Sequence, residues 1–143
     1  MYKVVIADDR PQARQGLHLL LDCCGNYTIV GEAADGSEAL ERSAALSPDL
    51  LLTDLKMPGL SVIEGARHLK AIHPFIKIII LTAFDESEDI YRAMHAGIDG
   101  YLMKDTDPEQ ILSAIQQVMD GSPFYQSKVN TEISDTGSYA YES

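Results

Sequence analysis

The stretch that decides the fold is LLLTDLKMPG, residues 50–59, in which an apolar run leads through an aspartate into a turn sequence. The leucines at its start favour burial, and the Met-Pro-Gly at its end favours a turn. Asp54 stands where the apolar run ends. A carboxylate beside a core costs free energy unless a partner compensates for its charge. The stretch therefore predicts a buried strand that ends in an ionisable group with a partner.

Apolar runs of this kind recur along the chain and predict five strands. Runs such as residues 78–81, IIIL, do not alternate with polar residues, so we expect both faces of these strands to be buried. The predicted strands are Tyr2–Ala7, Tyr27–Ala33, Leu50–Thr53, Lys77–Thr82 and Gly100–Met103.

Helical spacing of apolar residues fills every gap between these strands. Asp35 is predicted to cap one helix at its start, with Glu38 three residues on, and Gly97 to end another in a left-handed conformation. A βα unit repeated five times predicts a doubly wound α/β fold, (βα)5, with a five-stranded parallel sheet and helices on both faces. The predicted helices span residues 11–24, 37–46, 62–73, 87–96 and 108–120.

Length and composition indicate one globular domain in a reducing compartment. The chain has 143 residues, and its formal net charge of −11 disfavours direct binding to nucleic acid. It lacks a signal peptide and any run long enough to cross a membrane. Its only cysteines, Cys23 and Cys24, are adjacent and are expected to stay reduced. We therefore predict a cytoplasmic protein without membrane contact.

The character of the sequence changes near residue 121. Residues 1–121 carry the βα pattern and form the predicted domain, whereas residues 122–143 are polar and have little periodicity. We interpret residues 122–143 as a linker or loosely ordered tail, in which Val129 and Ile133 could support one short helical turn.

Polar or ionisable residues follow four of the five predicted strands. Asp8 and Asp9 follow the first strand, Asp54 the third, and Lys104 the fifth, while Thr82 ends the fourth. In open α/β sheets, ligands bind outside the carboxyl ends of the strands. We expect these side chains to meet at that edge.

The set of residue types at this edge suits phosphoryl transfer. Three carboxylates repel each other unless a cation joins them, and oxygen ligands without a nearby imidazole or thiolate suit Mg²⁺. A carboxylate nucleophile, a divalent ion, a lysine and a hydroxyl are the parts that phosphoryl transfer needs. Taken singly, each residue also fits an ordinary role as a cap, loop, strand or surface residue.

The residues in this order resemble the receiver domain of bacterial two-component response regulators. The motifs, in order, are Asp-Asp, TDLKMPG, ILTAF and GYLMKD. The sequences DLKMPG and GYLMKD are most similar to those of regulators of the NarL/FixJ (LuxR) type. The resemblance covers about residues 2–121. It implies a flavodoxin-like, CheY-like fold with strand order 2-1-3-4-5. It also implies a signalling switch that catalyses only its own phosphorylation and dephosphorylation, and is otherwise not an enzyme.

The resemblance assigns the acidic residues. It implies that Asp54 is the phosphoacceptor and takes the phosphoryl group from a histidine kinase. It implies that Asp8 and Asp9 hold Mg²⁺, with Asp54 and the backbone carbonyl of Lys56 completing the protein ligands. Lys56 also occupies a position that tunes dephosphorylation in the family.

The remaining roles are likewise implied by the resemblance. Thr82 matches the hydroxyl that binds the phosphoryl group, and Lys104 the lysine that pairs with it. Tyr101 matches an aromatic switch that turns inward when Thr82 moves. Ala83 leaves access for the phosphoryl group, and Phe84 tunes dephosphorylation. Many receivers have Lys-Pro where this chain has Lys104-Asp105, so no cis peptide is expected here.

The output implied by the resemblance is transcriptional. Phosphorylation would reshape the face made by the fourth helix, fifth strand and fifth helix, and would allow a homodimer. DNA would be bound only through a C-terminal helix-turn-helix domain that this sequence lacks. The start at Met1 and the abrupt end favour a truncated regulator, and a single-domain regulator that acts by protein contact is the alternative.

Two other classes of protein share parts of this pattern. Phosphatases of the haloacid dehalogenase type use an aspartyl phosphate, but their nucleophile follows the first strand, and the second residue after it is an aspartate rather than Lys56. Flavin-binding modules share the fold, but the ADDRPQ loop after the first strand places carboxylates where they bind a phosphate.

Overall fold

The computed structural model describes residues 1–83 and 87–126, in which strands and helices alternate. The strands are β1 (Tyr2–Ala7), β2 (Tyr27–Ala33), β3 (Leu50–Thr53), β4 (Lys77–Thr82), β5 (Gly100–Met103) and β6 (Phe124–Tyr125). The helices are α1 (Pro11–Asp22), α2 (Gly36–Leu46), α3 (Val62–Ile72), α4 (Ser87–His95) and α5 (Pro108–Met119).

All neighbouring strands pair in parallel, and the sheet has the order β2-β1-β3-β4-β5-β6. The first five strands have the bounds and the order that the sequence predicted, which confirms the doubly wound α/β fold. Every residue of β3 is buried, as expected for a central strand covered on both faces.

Two hydrophobic clusters cover the two faces of the sheet. One cluster joins the sheet to α2, α3 and α4 through residues such as Ala39, Leu69 and Ala93. The other joins it to α1 and α5 through residues such as Leu21 and Ile115. The helices therefore lie on both faces of the sheet, as predicted.

The predicted helix starts are close to the observed ones, and the ends are less so. Asp35 accepts a hydrogen bond from Glu38 N at 2.8 Å and caps α2, and Gly97 has a φ of +86° after α4. Four helices end one or two residues before the predicted residue. Three of the predicted last residues, His73, Ala96 and Asp120, still donate a backbone hydrogen bond to the residue four positions earlier, so they cap the helices and do not continue them.

The sheet contains one strand more than the five that the sequence predicted. Phe124 N donates to Asp99 O at 3.0 Å and Gln126 N to Tyr101 O at 2.8 Å, so β6 lies beside β5. A strand of two residues is too short to show periodicity in the sequence. It forms because the edge of β5 offers hydrogen-bond partners, and the sequence does not reveal these partners. Residues 127–143, with the helical turn predicted around Val129 and Ile133, lie outside the described residues.

A helix that crosses a membrane needs about 20 predominantly apolar residues. Among residues 1–83 and 87–126, none of the helices has that length and apolarity.

Candidate functional site

Backbone hydrogen bonds that continue past the strand ends position the candidate site. Asp8 N donates to Ala33 O at 3.0 Å, and Asp54 N donates to Ala7 O at 2.8 Å. Between β4 and β5, at the same edge of the sheet, Lys104 N donates to Thr82 O at 2.7 Å. These bonds fix where three of the predicted site residues leave the sheet.

Three carboxylates meet at this edge. Ligand oxygens of Asp8, Asp9 and Asp54 lie within 4.8 Å of one another. Asp8 is 1% exposed and Asp54 9%, whereas Asp9 is exposed. Backbone donors hold the two buried groups, since Arg10 N contacts Asp8 Oδ1 at 2.9 Å and Leu55 N contacts Asp54 Oδ1 at 2.8 Å.

Lys104 places its ammonium between the two buried carboxylates. Its Nζ lies 2.5 Å from Asp8 Oδ2 and 3.3 Å from Asp54 Oδ2. One ammonium compensates for only part of the charge of three carboxylates. The remaining negative charge, and a donor set made of oxygen atoms, suit a hard divalent cation such as Mg²⁺.

The structure also locates most of the other residues that the sequence predicted for the site. Thr82 and Tyr101 are fully buried, and Ala83 is exposed directly after β4. Tyr101 pairs in register with Ile80, two residues before Thr82. Phe84 lies outside the described residues.

Lys56 has a contact that the sequence analysis missed. Its Nζ lies 3.0 Å from Asp89 Oδ2, and Asp89, in the first turn of α4, is only 6% exposed. Arg92 NH1 lies 3.6 Å from the other Asp89 oxygen. The Lys56–Asp89 ion pair thus connects the loop that follows Asp54 to α4. The sequence carries no signal for this pair, because it depends on how α4 packs.

A second missed group supports Asp8 from α1. Arg14 NH1 donates to the Asp8 backbone carbonyl at 2.6 Å, and Arg14 Nε donates to Glu32 Oε1 at 2.9 Å. His18 Nε2 lies 2.7 Å from Glu32 Oε2, and this hydrogen bond is the main reason why the pKa of Glu32 is lowered. The spacing of Arg14 and His18, one helical turn apart, is the signal that could have indicated a shared face.

A cavity of about 290 Å³ borders the site between α1 and α5. Asp8, Asp54 and Lys104 line its polar end, and apolar residues such as Leu17 and Ile111 line the rest. The carboxylate cluster is therefore open to solvent on one side, although two of its members are buried.

A doubly wound parallel sheet with an acidic cluster and a lysine at its carboxyl edge defines a flavodoxin-like α/β protein whose candidate site lies at the strand ends. The chain matches the family model for the response regulator receiver domain over residues 4–116. The chain belongs to that family, which confirms the resemblance inferred from the motifs.

Relatives and solved structures place the chain among response regulators of the NarL/LuxR type. It is 36% identical over 141 residues to the nitrate/nitrite response regulator protein NarP of Escherichia coli (strain K12), covering 99% of this chain and 66% of NarP. It is 35% identical over 131 residues to the uncharacterized transcriptional regulatory protein YxjL of Bacillus subtilis (strain 168), covering 92% of this chain and 60% of YxjL.

The crystal structure of a two-component response regulator of the LuxR family from Aurantimonas sp. SI85-9A1 superposes with a TM-score of 0.85 and 30% identity, covering 96% of this chain and 98% of that one. The chain spans less than two thirds of the length of the two curated relatives, 66% of NarP and 60% of YxjL. These relatives are signalling proteins rather than metabolic enzymes, which disfavours the phosphatase alternative.

Proposed function

We propose that this receiver is switched by phosphorylation of Asp54, with a histidine kinase as the donor. The observation that carries the proposal is the geometry around Asp54. Its carboxylate lies at the end of a buried strand, within 4.8 Å of two other carboxylates and 3.3 Å from an ammonium. In the proposed reaction an Asp54 carboxylate oxygen forms a bond to phosphorus, and the bond from phosphorus to the kinase histidine breaks with its electron pair on nitrogen.

Mg²⁺ would be held by Asp8, Asp9, Asp54 and the backbone carbonyl of Lys56. The donor set fits this ion, because the clustered side chains offer only carboxylate oxygens and leave a net negative charge beside Lys104. When bound, the ion offsets the charge of the carboxylates and of the incoming phosphoryl oxygens. Lys104, which contacts Asp8 and Asp54, would donate to the same oxygens and thereby orient the group.

The switch would begin at Thr82. The hydroxyl of Thr82 binds the new phosphoryl oxygens, and its movement changes the space available to Tyr101. Tyr101 is fully buried in this structure, so any change in its position would alter the packing around it. The face of α4, β5 and α5 then differs between the two states, as in a two-state element biased by a local change of charge.

The output would follow from that face. A homodimer formed on phosphorylation, and DNA binding through a C-terminal helix-turn-helix domain outside this chain, form the main proposal. A regulator that acts by protein contact is the alternative. The chain's formal net charge of −11 supports the view that DNA is contacted by another domain.

Labelling with acetyl phosphate tests the role of the acidic pair. We expect the protein to accept a phosphoryl group only when Mg²⁺ is present, and Asp9→Asn to need at least about 10-fold more Mg²⁺, because the ion loses a ligand. Asp22→Asn, an exposed carboxylate at the end of α1, is the matched control and should behave as wild type. Two results would contradict the proposal. One is labelling that proceeds equally well without Mg²⁺, and the other is an equal Mg²⁺ requirement in Asp9→Asn and Asp22→Asn.

A further inference from the structure

The segment after α5 is attached to the sheet beside the candidate switch residue. Tyr101 pairs in register with Tyr125, and Gln126 N donates to the Tyr101 carbonyl at 2.8 Å. Tyr125 OH donates to the Ile98 carbonyl at 2.5 Å, and burial raises the pKa of Tyr125 to about 12. The main chain of β5 is thus hydrogen-bonded directly to β6 and to Gln126.

Gln126 also spans the loop that carries Lys104, residues 104–107. Its Oε1 accepts one hydrogen bond from Met103 N at 2.9 Å and a second from Thr106 Oγ1 at 3.0 Å. Met103 lies directly before Lys104, and Thr106 lies two residues after it. A single side-chain oxygen therefore holds both sides of the loop.

The loop in turn holds the ammonium at the acidic cluster. Lys104 N is bonded to the Thr82 carbonyl, and Lys104 Nζ contacts Asp8 and Asp54. A continuous set of hydrogen bonds and ion pairs thus joins Gln126 to the carboxylates. Each contact in the set is 3.3 Å or shorter.

We propose that Gln126 is a positioning residue for Lys104, and that docking of residues 124–126 on β5 is coupled through it to the state of the site. This inference rests on the proposed phosphorylation of Asp54 for its biological sense. Coupling is reciprocal: a docked Gln126 strengthens binding of a phosphoryl group at the site, and a bound phosphoryl group strengthens docking by the same factor.

The first experiment measures how readily the Lys104 amine reacts in the unphosphorylated protein, as a reporter of how firmly it is held at the carboxylates. Competitive acylation compares the reaction rate of Lys104 with that of the exposed Lys3 in the same sample. We expect Gln126→Met to raise the relative rate at Lys104 about 5-fold, because losing a hydrogen bond of ordinary strength shifts an equilibrium by that factor. Gln126→Glu keeps an acceptor for both donors and adds a negative charge that favours the ammonium, so its rate at Lys104 should not exceed that of wild type.

The control is Gln116→Met, the same change on α5. Gln116 Nε2 contacts Asp120 Oδ1 at 2.9 Å, at the end of the same helix and away from the loop. Gln116→Met should leave the rate at Lys104 unchanged. Equal rates at Lys104 in Gln126→Met and wild type would overturn the inference.

The second experiment measures coupling, with beryllofluoride and Mg²⁺ as the phosphoryl mimic. We expect Gln126→Met to bind the mimic about 5-fold more weakly, and the mimic to slow amide exchange at Gln126 in the wild type. A wild type that binds no mimic would contradict the proposed function, and the acylation result would then decide the positioning role alone. Binding by wild type with no change in Gln126→Met would overturn the coupling.

Discussion

Lys104 determines the charge balance of the candidate site. Its ammonium contacts two carboxylates that are almost fully buried, Asp8 and Asp54, and the third, Asp9, is exposed. A cation at the carboxylates therefore meets a site in which a lysine already compensates for part of the charge. The Arg14 side chain supports the backbone of the site by donating to the Asp8 carbonyl, and the Lys56 side chain joins the loop after Asp54 to α4 through Asp89.

Replacing Lys104 by Met tests this charge balance. In metal-free buffer we expect the free energy of unfolding to fall by about 1–3 kcal/mol, because buried carboxylates lose a charged partner. Mg²⁺ should then bind more tightly, since no ammonium competes for the same oxygens, and should restore more stability in the variant than in wild type. Denaturant unfolding over a range of Mg²⁺ concentrations measures both effects, with Lys3→Met as the exposed control.

Two outcomes would contradict this account of the site. One is a Lys104→Met variant as stable as wild type in metal-free buffer. The other is an unchanged or weaker Mg²⁺ affinity in that variant.

At the scale of elements, the start of α2 is packed against the loop that follows Asp54. Gly36 N donates to the Pro58 carbonyl at 3.0 Å, and Leu60 N donates to Ser37 Oγ at 3.2 Å. A Cβ atom at Gly36 would lie 1.7 Å from the Leu60 carbonyl oxygen. The glycine is therefore needed for the close approach of two backbones and not for an unusual φ.

Two glycine substitutions separate close packing from helix propensity. Gly36→Ala should lower the free energy of unfolding by about 1–3 kcal/mol, because a backbone oxygen must move. Gly16→Ala, within α1, has nothing within 4 Å of the added atom and should raise it by about 0.5–1 kcal/mol. Chemical denaturation of both variants measures the difference. A neutral or stabilising Gly36→Ala would show that the loop yields easily.

The elements also show what a sequence can predict. The bounds of β1 to β5 were predictable because each is an apolar run that ends in a polar residue or a turn. The strand β6 and the contact between Lys56 and Asp89 were not, because both depend on partners that only the packed fold brings near. The acidic cluster was predictable because parallel strands place their carboxyl ends at one edge.

At the scale of the whole molecule, the site is a product of topology. Lys104 is 50 residues from Asp54 and 96 from Asp8 in sequence, yet its ammonium contacts both. No local segment contains the site, so it exists only when the strand order brings β1, β3 and β5 to the same edge. The same order places β6 and Gln126 next to the loop that carries Lys104.

The proposed function depends above all on Asp54 as the phosphoacceptor. To test this, the protein is reacted with acetyl phosphate and Mg²⁺, and the label is located by mass spectrometry of its peptides. We expect one phosphoryl group per chain, in the peptide that contains Asp54, and no label in Asp54→Asn. A label on another residue, or undiminished labelling of Asp54→Asn, would contradict it.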